Sequence, residues 1–474
     1  MSDLAWLDAT ATADLVRRGE VSPPELVDAA IARIEKLDGE LNAVIHKQFD
    51  RARTEAAGDL PDGPFKGVPF LLKDAVQHFA GDPEHFGMRA LKNADHHATS
   101  DTWLAQRFRA AGFVTLGRTN VPEMATTITT ESLAYGPARN PWSTGHSTGG
   151  SSGGAAAAVA SGMVPVAHGN DMGGSIRVPA SHCGLVGLKP TRARTTLGPD
   201  LGELWGPITH EHVLCRSVRD TAAVLDAIAG AGVGDPYSAP LPERPFIEEV
   251  GVAPRSLRVG VRTVAHPEVA AAVATAVRLL EGLGHHVEDD PCAALDDPLI
   301  GESVMGMFPA IVSREVDRWS AAIGRPIELD ELEPFNAGLT EMGRAVTGTG
   351  WLTGLEGVQR WARSVAQWFA DGFDLLVLPV FPEPPPPIGE LTVEGQGGDL
   401  FALVMRIAGL TVFTFPFNFT GQPAISVPLH WTADGLPIGV QIVAPYGRED
   451  VLLRVASQLE HAQPWADRRP PVSA

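Results

Sequence analysis

Cysteine is scarce: Cys183, Cys215 and Cys292 are the only three in 474 residues. An odd number, so widely spaced, excludes a disulfide framework and fits a reducing compartment, so a cytoplasmic location is expected. Basic charge is scarce as well. Lys and Arg total 37 against 57 Asp and Glu, a formal charge of −20, whereas nucleic acid or an anionic membrane surface requires clustered positive charge. Neither partner is expected, and the acidity is read as serving solubility. No uninterrupted apolar run reaches the ~18 residues of a membrane span, and MSDLAWLDATATADLVRRGE lacks the basic-then-apolar order of a secretory leader. No internal repeat is present. With 44% hydrophobic residues the chain can still bury a large core.

Short apolar segments punctuated by glycine and proline are plentiful. VPFLL at 68–72, ending at Lys73, is followed by AGFVTLGRTN, SGMVPVAHGND, GLVGLKPT, SLRVGVRT, HHVED and FDLLVLPVFP, with helical patterns such as RSVRDTAAVLDAIAG between them. Strands alternating with helices predict an α/β fold with a central mixed, largely parallel β-sheet covered by helices on both faces. The first 58 residues are predicted helical, with Ser22-Pro23-Pro24-Glu25 as a start signal. Residues 235–254 read as a surface crossover, and residues 293–373 as mostly helical. AISVPLHWTADGLPIGVQIVAP carries two strands around a turn at Asp434-Gly435, before a final helix near 449–459.

The stretch STGGSSGGAAAAVASG, residues 147–162, joins a Gly/Ser turn to a strong helix former. That junction argues against a flexible linker, and Ala155 and Ala156 stand where a phosphate loop needs lysine and a hydroxyl. G-x-S-x-G occurs twice, which raises the alternative of an α/β-hydrolase-type esterase with an elbow serine at Ser151 or Ser152. An elbow needs a buried strand just before it, and ARNPWSTGHSTGG offers none. Further on, GNDMGGSIRVPAS places Ser175 behind two glycines, which let backbone N–H groups converge as an oxyanion hole requires.

A serine nucleophile needs a base. His96-His97, His210-x-His212 and His285-His286 lie in polar segments without a carboxylate at a telling offset and are read as solvated surface histidines, with no third ligand for a metal. Lys73 ends an apolar strand, where desolvation lowers an amine toward the range of a general base. A salt bridge with Asp74 or another acid is the alternative.

Together these features resemble the amidase signature family. The segment GGSSGGAAAAVASGMVPVAHGNDMGGSIRVPASHCGLVGLKPT, residues 149–191, carries its glycines, serines and terminal G-L-K-P-T, and GVPFLLKD supplies its lysine. Within the family, YGPARNPW, PVAHGND and YGREDVLLRVASQLE most resemble 6-aminohexanoate-cyclic-dimer hydrolases and related broad-range amidases. The resemblance implies a single domain over 1–474, with an N-terminal helical segment to 58, a signature core over 60–230 and an irregular, mostly helical pocket region over 293–410. It implies that Ser175 is the nucleophile, that Ser151, on a cis peptide bond, is a proton relay, and that Lys73 is the base. Ser152 would orient the lysine or the backbone. The N–H groups of Met172, Gly173, Gly174 and Ser175 would form the oxyanion hole, while Asp171 and Arg177 would be structural. No metal or organic cofactor is required.

The reaction implied is hydrolysis of uncharged amides, or of aryl carbamates, through an acyl-enzyme. The partner is a small molecule, and a homodimer is allowed. The alternative within the family is the glutaminase subunit of a tRNA-dependent amidotransferase, against which Val178 stands where those subunits carry glutamine. Met305, Met307, Phe308, Trp351, Phe401 and Phe413 are the expected apolar supply of the pocket and its edge.

Overall fold

In a computed structural model, which describes residues 2–474, eleven strands form one continuous sheet. Numbered within that sheet they are β1 (Val44–Lys47), β2 (Pro69–Lys73), β3 (Val114–Thr119), β4 (Val166–Asp171), β5 (Val186–Lys189) and β6 (His210–Cys215). Then follow β7 (Arg258–Val261), β8 (His286–Glu288), β9 (Leu375–Pro379), β10 (Ala424–Trp431) and β11 (Pro437–Val443). Their spatial order is β1-β3-β2-β4-β6-β5-β10-β11-β9-β7-β8.

The sheet is mixed, as expected, but it is not largely parallel. Six of its ten neighbouring pairs are antiparallel and four are parallel. Two strands that the sequence hides account for three of the antiparallel pairs. β1 lies within the N-terminal segment read as helical, and pairs with β3. β6, whose HEHVLC pattern looks like a loop, inserts between β4 and β5 and runs against both.

The remaining elements fall close to their expected places. Helix α1 (Pro23–Leu41) starts in a reciprocal cap between Ser22 and Glu25, the arrangement that satisfies two orphan N–H groups at once. Next come α2 (Gly153–Ala160), α3 (Arg177–Cys183), α4 (Leu299–Ala322), α5 (Pro334–Arg344), α6 (Gly348–Ala370) and α7 (Leu400–Leu410). Alternate side chains of a strand leave opposite faces of a sheet. Phe70 and Leu72 of β2 therefore join a cluster with helices Val218–Ile228, Pro267–Gly282 and Glu449–Ala462, while Leu71 joins one with α1 and α2. A third cluster packs α4, α5 and α6 against Leu376 and Leu378 of β9. Each fully buried Leu, Val or Phe contributes about 1.5–3 kcal/mol, so these three contacts hold the helices on both faces. Every residue of β2, β4 and β6 is buried.

Candidate active site

Lys73 is the last residue of β2, a strand flanked by β3 and β4, and none of its side chain reaches solvent. Burial drives its ammonium down to about 7, against the opposing pull of Glu211 and Asp171. Its Nζ lies 2.7 Å from Ser151 Oγ and also contacts Asn170 Oδ1. Asp74 is not its partner. That carboxylate accepts from Arg118 Nε at 2.9 Å, and among the described residues the Lys73 Nζ partners are Ser151 and Asn170 rather than any acid, which removes the salt-bridge reading.

Ser151 sits in the turn before α2, and the Gly150–Ser151 peptide is cis. Thr130 pins this turn: its hydroxyl donates to the Gly149 carbonyl and accepts from Gly153 N. Glycine is needed at 154, because a Cβ there would come within 2.4 Å of Asn120 N. The segment ahead, Ser143–Ser147, forms a two-stranded ribbon with Arg139–Asn140, outside the central sheet. It is therefore not the buried strand that a nucleophile elbow requires. Ser152 Oγ donates to the Asn170 carbonyl at 3.3 Å, so it steadies the backbone of β4 and does not touch the lysine.

Ser175 lies in the turn between β4 and α3 and is 6% exposed. The turn is organised by Asp171, whose Oδ1 accepts from Gly174 N at 2.7 Å and whose Oδ2 accepts from Ile176 N at 3.2 Å. Both Asp171 oxygens also accept from the Arg177 guanidinium, and Oδ1 accepts from Asn418 Nδ2. Burial alone would raise the Asp171 carboxyl, but Arg177 and Asn418 overcome it and hold the group far below the usual range. The structural reading of Asp171 and Arg177 fits these contacts, and one expected oxyanion donor is withdrawn. The Gly174 amide is already spent on Asp171, leaving those of Met172, Gly173 and Ser175. Gly174 has φ +134°, and a Cβ there would meet Thr414 Oγ1 at 2.6 Å. That hydroxyl donates to the Gly173 carbonyl.

Of Lys73, Ser151 and Ser175, only Ser175 lines a cavity of about 260 Å³, together with Met172 and Gly173. Trp205, Phe308, Phe335 and Phe415 supply much of its wall and Thr126, Thr127 and Thr411 contribute hydroxyls, and among the described residues none that lines it is charged. The pocket region was expected at 293–410, yet 125–128, Trp205, Thr411, Val412, Phe415 and Pro416 also contribute. Met305 and Phe308 line the cavity as expected. Met307 does not: it is 1% exposed on the core side of α4, since positions two apart point away from each other on a helix. Phe413 is core, Trp351 is partly buried outside the cavity, and Phe401 edges a neighbouring groove with Met305 and Val404. Val178 packs with Ile128, Val380 and Phe381 and does not line the cavity.

The histidine reading needs correction. His210 and His212 are buried in β6, and burial holds both neutral, His212 at about 3. His285 is buried too, and accepts from Leu257 N. His286 and His97 are exposed, as expected, and His96 is half-buried. Asn170, His168 and Glu211 surround the lysine and were missed. The available signal was Glu211 itself, an acid between two histidines whose alternation suits a buried strand. Among the described residues, no group of three His, Cys, Asp or Glu could hold a metal ion, and no helix is long and apolar enough to cross a membrane.

A family model described as Amidase matches residues 25–453. The 6-aminohexanoate-cyclic-dimer hydrolase of Pseudomonas sp. (strain NK87) is 45% identical over 479 residues, covering 98% of this chain and 96% of that protein. A solved structure of 6-aminohexanoate cyclic dimer hydrolase complexed with substrate superposes with a TM-score of 0.94 at 44% identity, over 99% of this chain and 100% of that one. A bacterial aryl acylamidase of the amidase signature family superposes at 0.86, with 25% identity over 98% and 99% of the two chains.

Proposed function

The chain belongs to the amidase signature family, and from that premise we propose that it hydrolyses the C–N bond of uncharged anilides, lactams or oligoamides, and of aryl carbamates, through an acyl-enzyme on Ser175. It is an amidohydrolase. What carries the finer reading is the placement of Ser175 on an apolar cavity without a charged residue, with the Lys73–Ser151 contact behind it. A buried charge without a partner is costly, so a zwitterion such as free glutamine fits this cavity poorly. The relatives' names, a cyclic-dimer hydrolase and an aryl acylamidase, point to cyclic and aryl amides.

Neutral Lys73 accepts the Ser151 hydroxyl proton while Ser151 takes that of Ser175, whose Oγ bonds to the substrate carbonyl carbon. The carbonyl oxygen becomes an oxyanion held by the amides of Met172, Gly173 and Ser175, each such donor being worth about 10²–10³ in rate. As the C–N bond breaks, the proton returns through Ser151 to the leaving amine. Water then attacks the ester by the same relay and frees the acid. Gln at Lys73's role would fail, because an amide cannot take a proton near neutral pH.

The deciding measurement compares kcat/KM for glutamine, a short aliphatic amide, a lactam, an anilide and an aryl carbamate. Uncharged amides with apolar flanks should lead and glutamine should trail. Glutamine as the best substrate would overturn the reading.

A further inference from the structure

Behind Lys73 lies a buried chain of polar groups that the acyl-transfer steps do not use. His168 of β4 has no solvent exposure, and its Nδ1 accepts the backbone N–H of Lys73 at 3.3 Å. With Nδ1 accepting, the ring proton must sit on Nε2. Nε2 then donates to Glu211 Oε2 at 2.6 Å. Glu211 lies directly across from Asn170 in the β4–β6 ladder, and Asn170 is the amide that touches Lys73 Nζ. The second Glu211 oxygen, Oε1, is buried and makes no well-formed hydrogen bond among the described residues, although the Asn170 and Gln77 amides lie near enough to lower the Glu211 carboxyl.

The other charged groups around the lysine are already matched. Asp171 is paired with Arg177, and Arg118 of β3 with Asp74 and Asp82. His168, His210 and His212 are held neutral, in each case first by burial. Among the described residues, Glu211 is thus the acidic group acting on Lys73 that has no cation of its own. We propose that Glu211 is a positioning residue for Lys73: its carboxylate, held on the far side of the His168 imidazole, is the counter-charge that keeps the lysine basic enough to take the Ser151 proton. This rests on the reading of Lys73 as the base.

The separation matters in both directions. A carboxylate bonded directly to Nζ would keep the lysine an ammonium and remove the base, whereas no carboxylate at all would leave a desolvated amine too weak to accept a proton. The two groups titrate as a pair. Burial pushes Glu211 well above the usual carboxyl range while the charge of Lys73 pulls it back, so each stabilises the ionised form of the other.

The test is the pH profile of kcat/KM on an anilide for the wild type, Glu211→Gln and Glu211→Asp. Gln keeps an oxygen for His168 Nε2–H and removes only the charge. Without that charge the ammonium is less favoured, so the acid limb should move to lower pH, by about one unit, the low end of what a nearby opposite charge commands. The plateau should fall as well, since a weaker base transfers protons more slowly. Glu211→Asp should keep the limb near its wild-type position. A purely structural role would lower the plateau without moving the limb, and a limb that stays or rises in Glu211→Gln overturns the proposal.

Should Glu211→Gln fail to fold, Lys73→Met asks the reciprocal question with residue 211 intact. Infrared difference spectra with ¹³C-labelled glutamate should then show a protonated carboxyl persisting to higher pH than in the wild type, and its absence would equally overturn the proposal. That readout needs no turnover. Near-normal activity of Lys73→Ala would sink the reading of the base and leave the Glu211–Lys73 coupling to be judged by the spectra.

Discussion

Ser175 and Phe308 face the same cavity, but the segments that carry them are held in different ways. Around Ser175 the chain is buried and polar: Asp171, Arg177, Asn170 and Lys73 have no exposed surface and bond to one another or to backbone. Around Phe308 the helices α4, α5 and α7 meet through apolar contacts, and Met305, Met342, Phe401 and Met405 are left exposed nearby. Breaking a buried, hydrogen-bonded charge pair costs about 3–5 kcal/mol, whereas a volume-conserving apolar swap usually costs less than about 1.5 kcal/mol. One wall therefore tolerates little change and the other tolerates much. On the proposed reading, chemistry belongs to the first and choice of substrate to the second.

The sharpest way to break this division is at Ser175. Ser175→Ala should abolish acyl-enzyme formation, while Ser151→Ala should slow it severely and leave Ser175 as the only serine labelled by a fluorophosphonate. Mass spectrometry of the labelled peptide decides it, and label on Ser151 in the wild type would revive the elbow reading. Next comes Lys73. Its amine is held at about 7, so the neutral, proton-accepting form predominates only above that pH. Activity should rise with pH through this value, and Lys73→Ala should remove both the limb and most of the rate.

Asp171→Asn tests whether the polar wall is held by matched charge. It strips Arg177 of its counter-ion, and a loss of about 3–5 kcal/mol should appear as a lower denaturant midpoint with unchanged slope. The smallest effects belong to the apolar wall. Phe308→Ala should raise KM for an anilide about tenfold, or ~1.4 kcal/mol, and leave a short aliphatic amide nearly untouched. Phe401→Ser, on the exposed groove, should change stability by no more than ~0.5 kcal/mol. If Phe308→Ala instead abolished turnover of every substrate, the two walls would not be separable.

Much of this site was legible because its signals are local. Lys73 at the end of VPFLL, the Gly/Ser turn before a run of alanines and the two glycines ahead of Ser175 each state a backbone requirement within a few residues. The cavity's lining was less legible. Met307 and Phe308 are neighbours in sequence, yet one faces the core and the other the cavity, and composition cannot say which face of α4 is which. β6 was hidden for a related reason. His210, Glu211 and His212 are polar, and a polar segment reads as surface unless its partners are known.

Nine of the eleven strands, the start of α1 and the residues of the reactive turn were thus determined by the sequence itself, since hydrophobic period, capping and glycine's freedom act over one or two turns of chain. The antiparallel insertion of β6, the diversion of the Gly174 amide to Asp171 and the placing of Glu211 behind Lys73 were decided only in the tertiary structure. Each depends on a partner distant in sequence or on which of several polar groups wins a shared donor. That competition is settled by burial, where an unpaired donor or charge costs more than any local preference.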